Sequence, residues 1–351
     1  MSEPPPPDQV SGSPDRDAHR LRTGIVWTVG LLALLLAIGL AVPSLREVLE
    51  RVTRATPGWL VLAVALELAS CLGYVATVRL VLHRGPARVV RQLAWAEMAF
   101  GAVVPVGGAG GLAVGAWAMR ARGVPWSRVA NRSAVIFMLT SAVNVTVLAF
   151  AGLGVAAGIG VRERGIAYGL IPAGVALAGL AFFILLPAMV RRSRLGTRPG
   201  RVGNGLRSTA AWVRDTEAIV LVPNWRLLGS VGYLVLDIAA LWACLRAVGT
   251  TPPLLALVVG YQLGYLANLV PIPGGVGALE GGLLAALVLY GLPAGPTAAA
   301  AIIYHAIALW VPVLGGTIGF ARLRAAVSGG TQEAVASEPD AVPVGQKAQG
   351  Q

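Results

Sequence analysis

The residues from Ile166 to Val190 include no charged side chain, and neither do those from Gly24 to Val42. An apolar run of about 18 residues or more is long enough to cross the ~30 Å hydrocarbon layer of a bilayer as an α-helix. The alternating polarity that marks an outer-membrane barrel is absent from these stretches. Composition agrees, since charged residues make up 13% of the chain where a soluble domain carries about 25%, leaving little to cover a water-facing surface. The chain is read as all-α, a polytopic bundle of transmembrane helices.

Apolar blocks lie at residues 24–43, 58–83, 93–119, 133–160, 166–190, 227–249, 254–290 and 297–320. The net charge of +12 is almost wholly arginine, with Lys347 the only lysine, and it lies mainly between the blocks. That placement sets orientation in a membrane and removes nucleic acid as the reason for the charge. The first tail holds Arg16, Arg20 and Arg22. Arg84, Arg88 and Arg91 follow the second block, and Arg120, Arg122, Arg128 and Arg132 follow the third. The connection 191–226 carries eight arginines, from Arg191 to Arg226, and Arg322 and Arg324 follow the last block. By the positive-inside rule all of these are expected in the cytoplasm. In 44–57 the arginines are offset by Glu47 and Glu50, the 161–165 turn has Arg162, Glu163 and Arg164, and 250–253 and 291–296 are uncharged, so these are expected outside.

With those sides assigned, block 93–119 has both flanks inside and block 254–290 has both outside. The expectation is six full spans and two oppositely oriented re-entrant hairpins. Each of the two blocks has a helix-breaking centre, Pro105 with Gly107, Gly108, Gly110 and Gly111 in one, Pro271 and Pro273 with Gly274, Gly275 and Gly277 in the other. Broken backbone at membrane depth is tolerated only inside protein or beside a water-filled cavity. Further on, Gly123-Val124-Pro125 matches Gly291-Leu292-Pro293. Paired Gly/Pro interruptions in corresponding positions point to an inverted repeat with a binding site between its halves, here about 58–160 and 227–320. The other reading of such glycines is close helix packing.

Ionisable groups in the membrane are costly, roughly 2.5–3.5 kcal/mol at a helix centre. Glu67 and Asp237 fall on the helices before the two hairpins, as acids that neutralise a proton, a cation or an arginine, or as protonated carboxyls satisfied by the backbone. Glu97 reads as interfacial, at the start of the first hairpin. Arg79 and Arg246 lie near helix ends and can snorkel. Glu280 is placed to handle a headgroup or to cap the returning limb. His305 is a further site candidate, or a polar packing residue. The substrate-binding set is thus Gly107, Gly108, Gly110, Pro271, Pro273, Gly274, Gly275, Gly277, Glu280 and His305.

Cys71 and Cys244 offer neither a disulfide framework nor zinc spacing, and both read as packing residues. No H-E-x-x-H, G-x-S-x-G or P-loop occurs, so no catalytic residue, metal or cofactor is expected. Residues 1–23, with Pro4–Pro7, and 325–351, with Pro339 and Pro343, read as disordered cytoplasmic tails. The block 24–43 reads as a retained helix, too long for a cleaved signal and without a small-x-small cleavage site.

The stretch 271–319 resembles the C-terminal signature of the lysylphosphatidylglycerol synthase transmembrane-region family. Pro271, Pro273, Gly274, Gly275, Gly277 and Glu280 match its P-x-P-G-G-x-G-x-x-E, and Gly291, Trp310 and Pro312 match its later positions. The likeness in hydropathy and hairpin placement covers about residues 24–324. The family's later arginine is His305 here, and Leu112 and Gly115 stand where its first hairpin often has an acid and an arginine. The resemblance implies a membrane domain that flips lipids between leaflets. Bifunctional members also carry a soluble aminoacyl-transferase domain, for which 325–351 leaves no room, so synthase activity is not expected. The function expected is a cytoplasmic-membrane lipid transporter of flippase type, moving a phospholipid or polyprenyl-linked lipid. The alternatives are a membrane-embedded glycosyl or lipid transferase, or a non-catalytic membrane partner of a lipid-modifying enzyme. Membrane lipids are the expected partners.

Overall fold

The computed structural model describes residues 48, 50–83, 85–103, 109–160, 165–192, 200–266 and 278–328. The block 24–43 and the tails 1–23 and 329–351 lie outside the described residues, as do Gly107, Gly108, Pro271, Pro273, Gly274, Gly275 and Gly277. The chain divides into two units, 1–54 and 55–351. In the first, the described residues form a helical turn in which Thr53 Oγ1 donates to the Glu50 carbonyl at 2.9 Å.

The second unit is helical throughout its described residues. In chain order its helices are α1 (Pro57–Val81), α2 (Ala87–Val103), α3 (Ala109–Arg120), α4 (Trp126–Ala156), α5 (Ala167–Arg192), α6 (Arg201–Leu221), α7 (Leu227–Ala247), α8 (Leu254–Tyr265), α9 (Ala278–Leu289) and α10 (Ala294–Ser328). Among the described residues five are long and apolar enough to cross a membrane: α1, α4, α5, α7 and α10. They correspond to the five expected spans that fall on described residues. Blocks 93–119 and 254–290 are each divided between two helices, α2 with α3 and α8 with α9.

The Gly-x-Pro pairs show how one helix is stopped and the next begun. Gly123 and Gly291 have φ of 79° and 98°, a conformation that costs a side chain but not glycine. One residue later Val124 N–H bonds Met119 O, and Leu292 N–H bonds Leu287 O, both at 3.1 Å, closing a Schellman turn over α3 and over α9. Pro125 and Pro293 then sit just ahead of α4 and α10, where a missing N–H is harmless and the fixed φ favours a helix start.

Close backbone approach organises the packing. Helices α1 and α7 run antiparallel, pairing Trp59 with Trp242, Ser70 with Tyr233, Gly73 with Gly229 and Thr77 with Ser230. At their crossing a Cβ on Gly73 would lie 2.7 Å from the Gly229 carbonyl oxygen, and a Cβ on Gly229 2.7 Å from that of Gly73. Ser70 Oγ donates to Tyr233 O at 2.8 Å. Thr77 donates to Gly73 O at 3.1 Å, which leaves Ser230 to donate to Thr77 at 3.0 Å. Glycines 315, 316 and 319 of α10 lie flat against Trp95 and its neighbours in α2. Gly260 and Gly264 of α8 admit Leu287 and Leu283 of α9.

The order long, short, short, long occurs twice, as α1–α4 and as α7–α10. The short pairs are exchanged in packing: α2 lies on α10, and α8 lies on α4. Between the two sets stand α5, against α4, and α6, against α4 and α5. Helix α6 occupies most of the arginine-rich connection 191–226, which the sequence presented simply as charged chain. It buries Ala210, Val213 and Thr216, a stripe at helical spacing, and keeps Arg207 and Arg214 exposed.

Candidate functional site

Glu67 and Asp237 are each the eleventh residue of their helix, counted from Pro57 and from Leu227. At 1.5 Å per residue that is about 15 Å of rise, half of a ~30 Å hydrocarbon layer. The antiparallel register of α1 and α7, which pairs Ser70 with Tyr233 and Gly73 with Gly229, sets the two side by side at this depth. Both are buried, at 4% and 9% exposure. A carboxyl held there needs hydrogen bonds to remain.

Asp237 receives them from tyrosines. Tyr304 of α10 donates to Oδ1 at 2.6 Å and Tyr261 of α8 donates to Oδ2. Because Tyr304 spends its one proton on Asp237, the 2.7 Å contact between Tyr265 and Tyr304 is a bond donated by Tyr265. Asp237 thus ends a short phenol chain running from α8 through α10 into α7. On Glu67, Cys71 Sγ donates to Oε1 at 3.8 Å, while Oε2 is buried and receives no hydrogen bond among the described residues. Cys71 therefore does more than fill space, and Cys244, also buried, lies near the same pair.

Glu280 and His305 also meet. Glu280 stands in the first turn of α9, where a carboxylate complements the helix dipole, and its Oε1 is 3.5 Å from Nδ1 of His305 in α10. Their side chains are 20% and 23% exposed, less enclosed than the first pair. His305 follows Tyr304 directly, so α10 presents one residue to each acidic centre. Gly110 is buried in the first turn of α3.

Glu97 departs from its reading as an interfacial residue. The helix holding it begins at Ala87, six residues before the apolar block, so Glu97 lies well inside α2. Tyr74 of α1 donates to its Oε2 at 3.1 Å, and its Oε1 covers Gly115 of α3, where a Cβ would clash. Gly115 is thus small to admit a neighbouring carboxylate. Arg246 sits at the end of α7, over Trp59 at 5.2 Å and Trp242 at 6.0 Å, and bonds Thr251, as a snorkelling arginine would. Tyr74, Tyr261, Tyr265 and Tyr304 were not singled out in the sequence. Their signal was available, since a tyrosine deep in an apolar block must find a partner for its hydroxyl. No cluster of metal-ligating side chains occurs among the described residues.

The family model for the lysylphosphatidylglycerol synthase transmembrane region matches residues 25–316. The chain belongs to that family. A UPF0104 membrane protein of Methanothermobacter thermautotrophicus is 36% identical over 90 residues, covering 25% of this chain and 26% of that protein. The alignment therefore spans about a quarter of the relative's length. Family and helix pattern together make this a multi-pass membrane protein.

Proposed function

We propose that the protein is a lipid transporter of flippase type in the cytoplasmic membrane, carrying a phospholipid or polyprenyl-linked lipid between leaflets. The observation that carries this reading is the set of polar groups at mid-membrane depth, shared among the four helices α1, α7, α8 and α10, of which α8 belongs to an interrupted segment. A soluble ligand has no need of such a place, whereas a headgroup crossing the bilayer does. The short helices support it. At 12 residues each, α3, α8 and α9 cover about 18 Å, too little for the ~30 Å layer. Helices α2 with α3 and α8 with α9 then enter and return as hairpins. The repeated helix order, the antiparallel α1 and α7, and the exchanged packing of the short pairs support an inverted repeat. The arginine pattern supports cytoplasmic termini. In this reading the headgroup passes near Glu280 and His305 while the acyl chains stay in the bilayer.

The test is reconstitution into liposomes with fluorescent phospholipid and a quencher confined to the outer leaflet. Protein-dependent access of the quencher to inner-leaflet lipid is expected. It should fall at least ~10-fold in Glu280→Gln at equal folded protein, a loss of about 1.4 kcal/mol in barrier terms. Unchanged leaflet exchange with and without protein, over a panel of anionic, zwitterionic and polyprenyl-linked lipids, would overturn the reading.

A further inference from the structure

We infer that Glu67 and Asp237 form a proton-carrying carboxyl pair that couples the movement of lipid to a proton gradient. The inference deepens the transport reading and rests on it for the coupling, though the proton site stands on its own geometry. Two neighbouring carboxylates in a dry interior cannot both stay ionised without a cation. Among the described residues the groups that face them are Cys71 on α1, Tyr233 and Cys244 on α7, Tyr261 and Tyr265 on α8, and Tyr304 on α10, and none of these is a cation. A shared proton is what remains.

The hydrogen bonds say where it sits. Asp237 accepts on both oxygens, the pattern of a carboxylate, which has acceptors only. Glu67 Oε1 accepts from Cys71, and Oε2 is buried with nothing donated to it. Glu67 Oε2 is therefore the oxygen that bears the proton. Uptake forms one O–H bond at Glu67 with a proton from water on one side, and release breaks it to water on the other. No electron changes hands.

Placement makes the proton consequential. The pair lies between α1 and α7, and the tyrosines on Asp237 come from α8, which packs on the helix of Glu280, and from α10, which carries His305. With the proton bound, the four helices close on one negative charge held by two phenols. With it lost, two charges remain at mid-depth, and the packing that excludes water is disfavoured. A single protonation thus selects between closed and hydrated arrangements beside the lipid path.

Infrared difference spectra of the purified protein test the site without transport. A protonated-carboxyl stretch that shifts on deuteration is expected, disappearing in Glu67→Gln and displaced in Asp237→Asn, with exposed Asp215→Asn as control. A spectrum identical in wild type, Glu67→Gln and Asp237→Asn overturns the proton site, and the wild-type band alone decides it if a variant does not fold. Liposomes test the coupling, with the potential clamped by potassium and valinomycin. A one-unit pH gradient sustains about a tenfold leaflet asymmetry of labelled lipid at one proton per lipid. Glu67→Gln should abolish that asymmetry. Lipid movement that ignores the gradient, or that tracks sodium instead, overturns the coupling. Absence of any lipid movement overturns the transport reading and the coupling with it, while the infrared band still decides the proton site.

Discussion

Substituting Gly73 by alanine tests whether the α1–α7 crossing holds the unit together. The added Cβ would lie 2.7 Å from both Gly229 O and Tyr233 N, where ordinary contact begins at 3.4 Å. The helices must therefore part by about 0.7 Å (3.4 minus 2.7). The same displacement stretches the Ser70 bond from 2.8 Å and the Ser230–Thr77 bond from 3.0 Å to the limit of hydrogen bonding or beyond it. Overpacking costs about 1–3 kcal/mol, and two interhelical bonds in a membrane protein add roughly 0.6 kcal/mol each. The expected loss is about 2–4 kcal/mol, or a fall in Tm of about 5–10 °C. The assay is thermal unfolding in detergent at a fixed scan rate. Gly174→Ala in α5, with nothing within 4 Å of its Cβ, should be neutral or gain up to ~1 kcal/mol. The double variant Gly73→Ala with Gly229→Ala should lose less than the sum of the single losses, because one separation relieves both clashes. If Gly73→Ala melts with wild type, or the two losses simply add, the close crossing is not what holds α1 to α7.

Three further outcomes are expected. Cysteines introduced at exposed Thr251 and Ala294 should react with an impermeant maleimide from outside, and those at Pro86 and Asn204 should not; because Cys71 and Cys244 are buried, background should be low, and outside labelling at Asn204 would reverse the topology. Tyr304→Phe removes the donor to Asp237 Oδ1 and the acceptor for Tyr265, so stability should drop by about 1.5–3 kcal/mol in thermal unfolding, and no drop would mean that Asp237 finds another donor. Glu97→Gln keeps the shape over Gly115 and a group able to accept from Tyr74, so it should cost less than Glu97→Ala, measured in the same way.

The long spans were legible because crossing hydrocarbon demands uncharged length, as in the run 166–190. The helix ends at Gly123 and Gly291 were legible in the matched Gly-x-Pro triplets. Glu67, Asp237, Glu280 and His305 stood out because charge is rare in such blocks, yet spacing alone could not pair them. Their pairing depends on the antiparallel register of α1 and α7 and on how α9 meets α10, which are tertiary facts. The tyrosines escaped because an aromatic ring counts as apolar in hydropathy while its hydroxyl does the binding. Glu97 was misplaced for a related reason. Arg88 and Arg91 end the apolar block early, but a helix tolerates exposed arginines in its first turns, so α2 starts ahead of its apolar part. The same charges hid α6, whose buried stripe is narrow.

Among the described residues helix α5 has no counterpart in the repeated order, and its position carries a rule of parity. In the topology proposed above, each long helix counts as one crossing and each short pair as none. Three crossings, α1, α4 and α5, then separate the start of α1 from the start of α7. An odd number starts the second set from the opposite face of the bilayer, so two like-ordered sequences are threaded head to tail. Remove α5 and the count becomes even; α1 and α7 would enter from the same side, and Glu67 would have no antiparallel helix to bring it Asp237. In that topology α5 is the piece of chain that lets a tandem arrangement close on itself face to face.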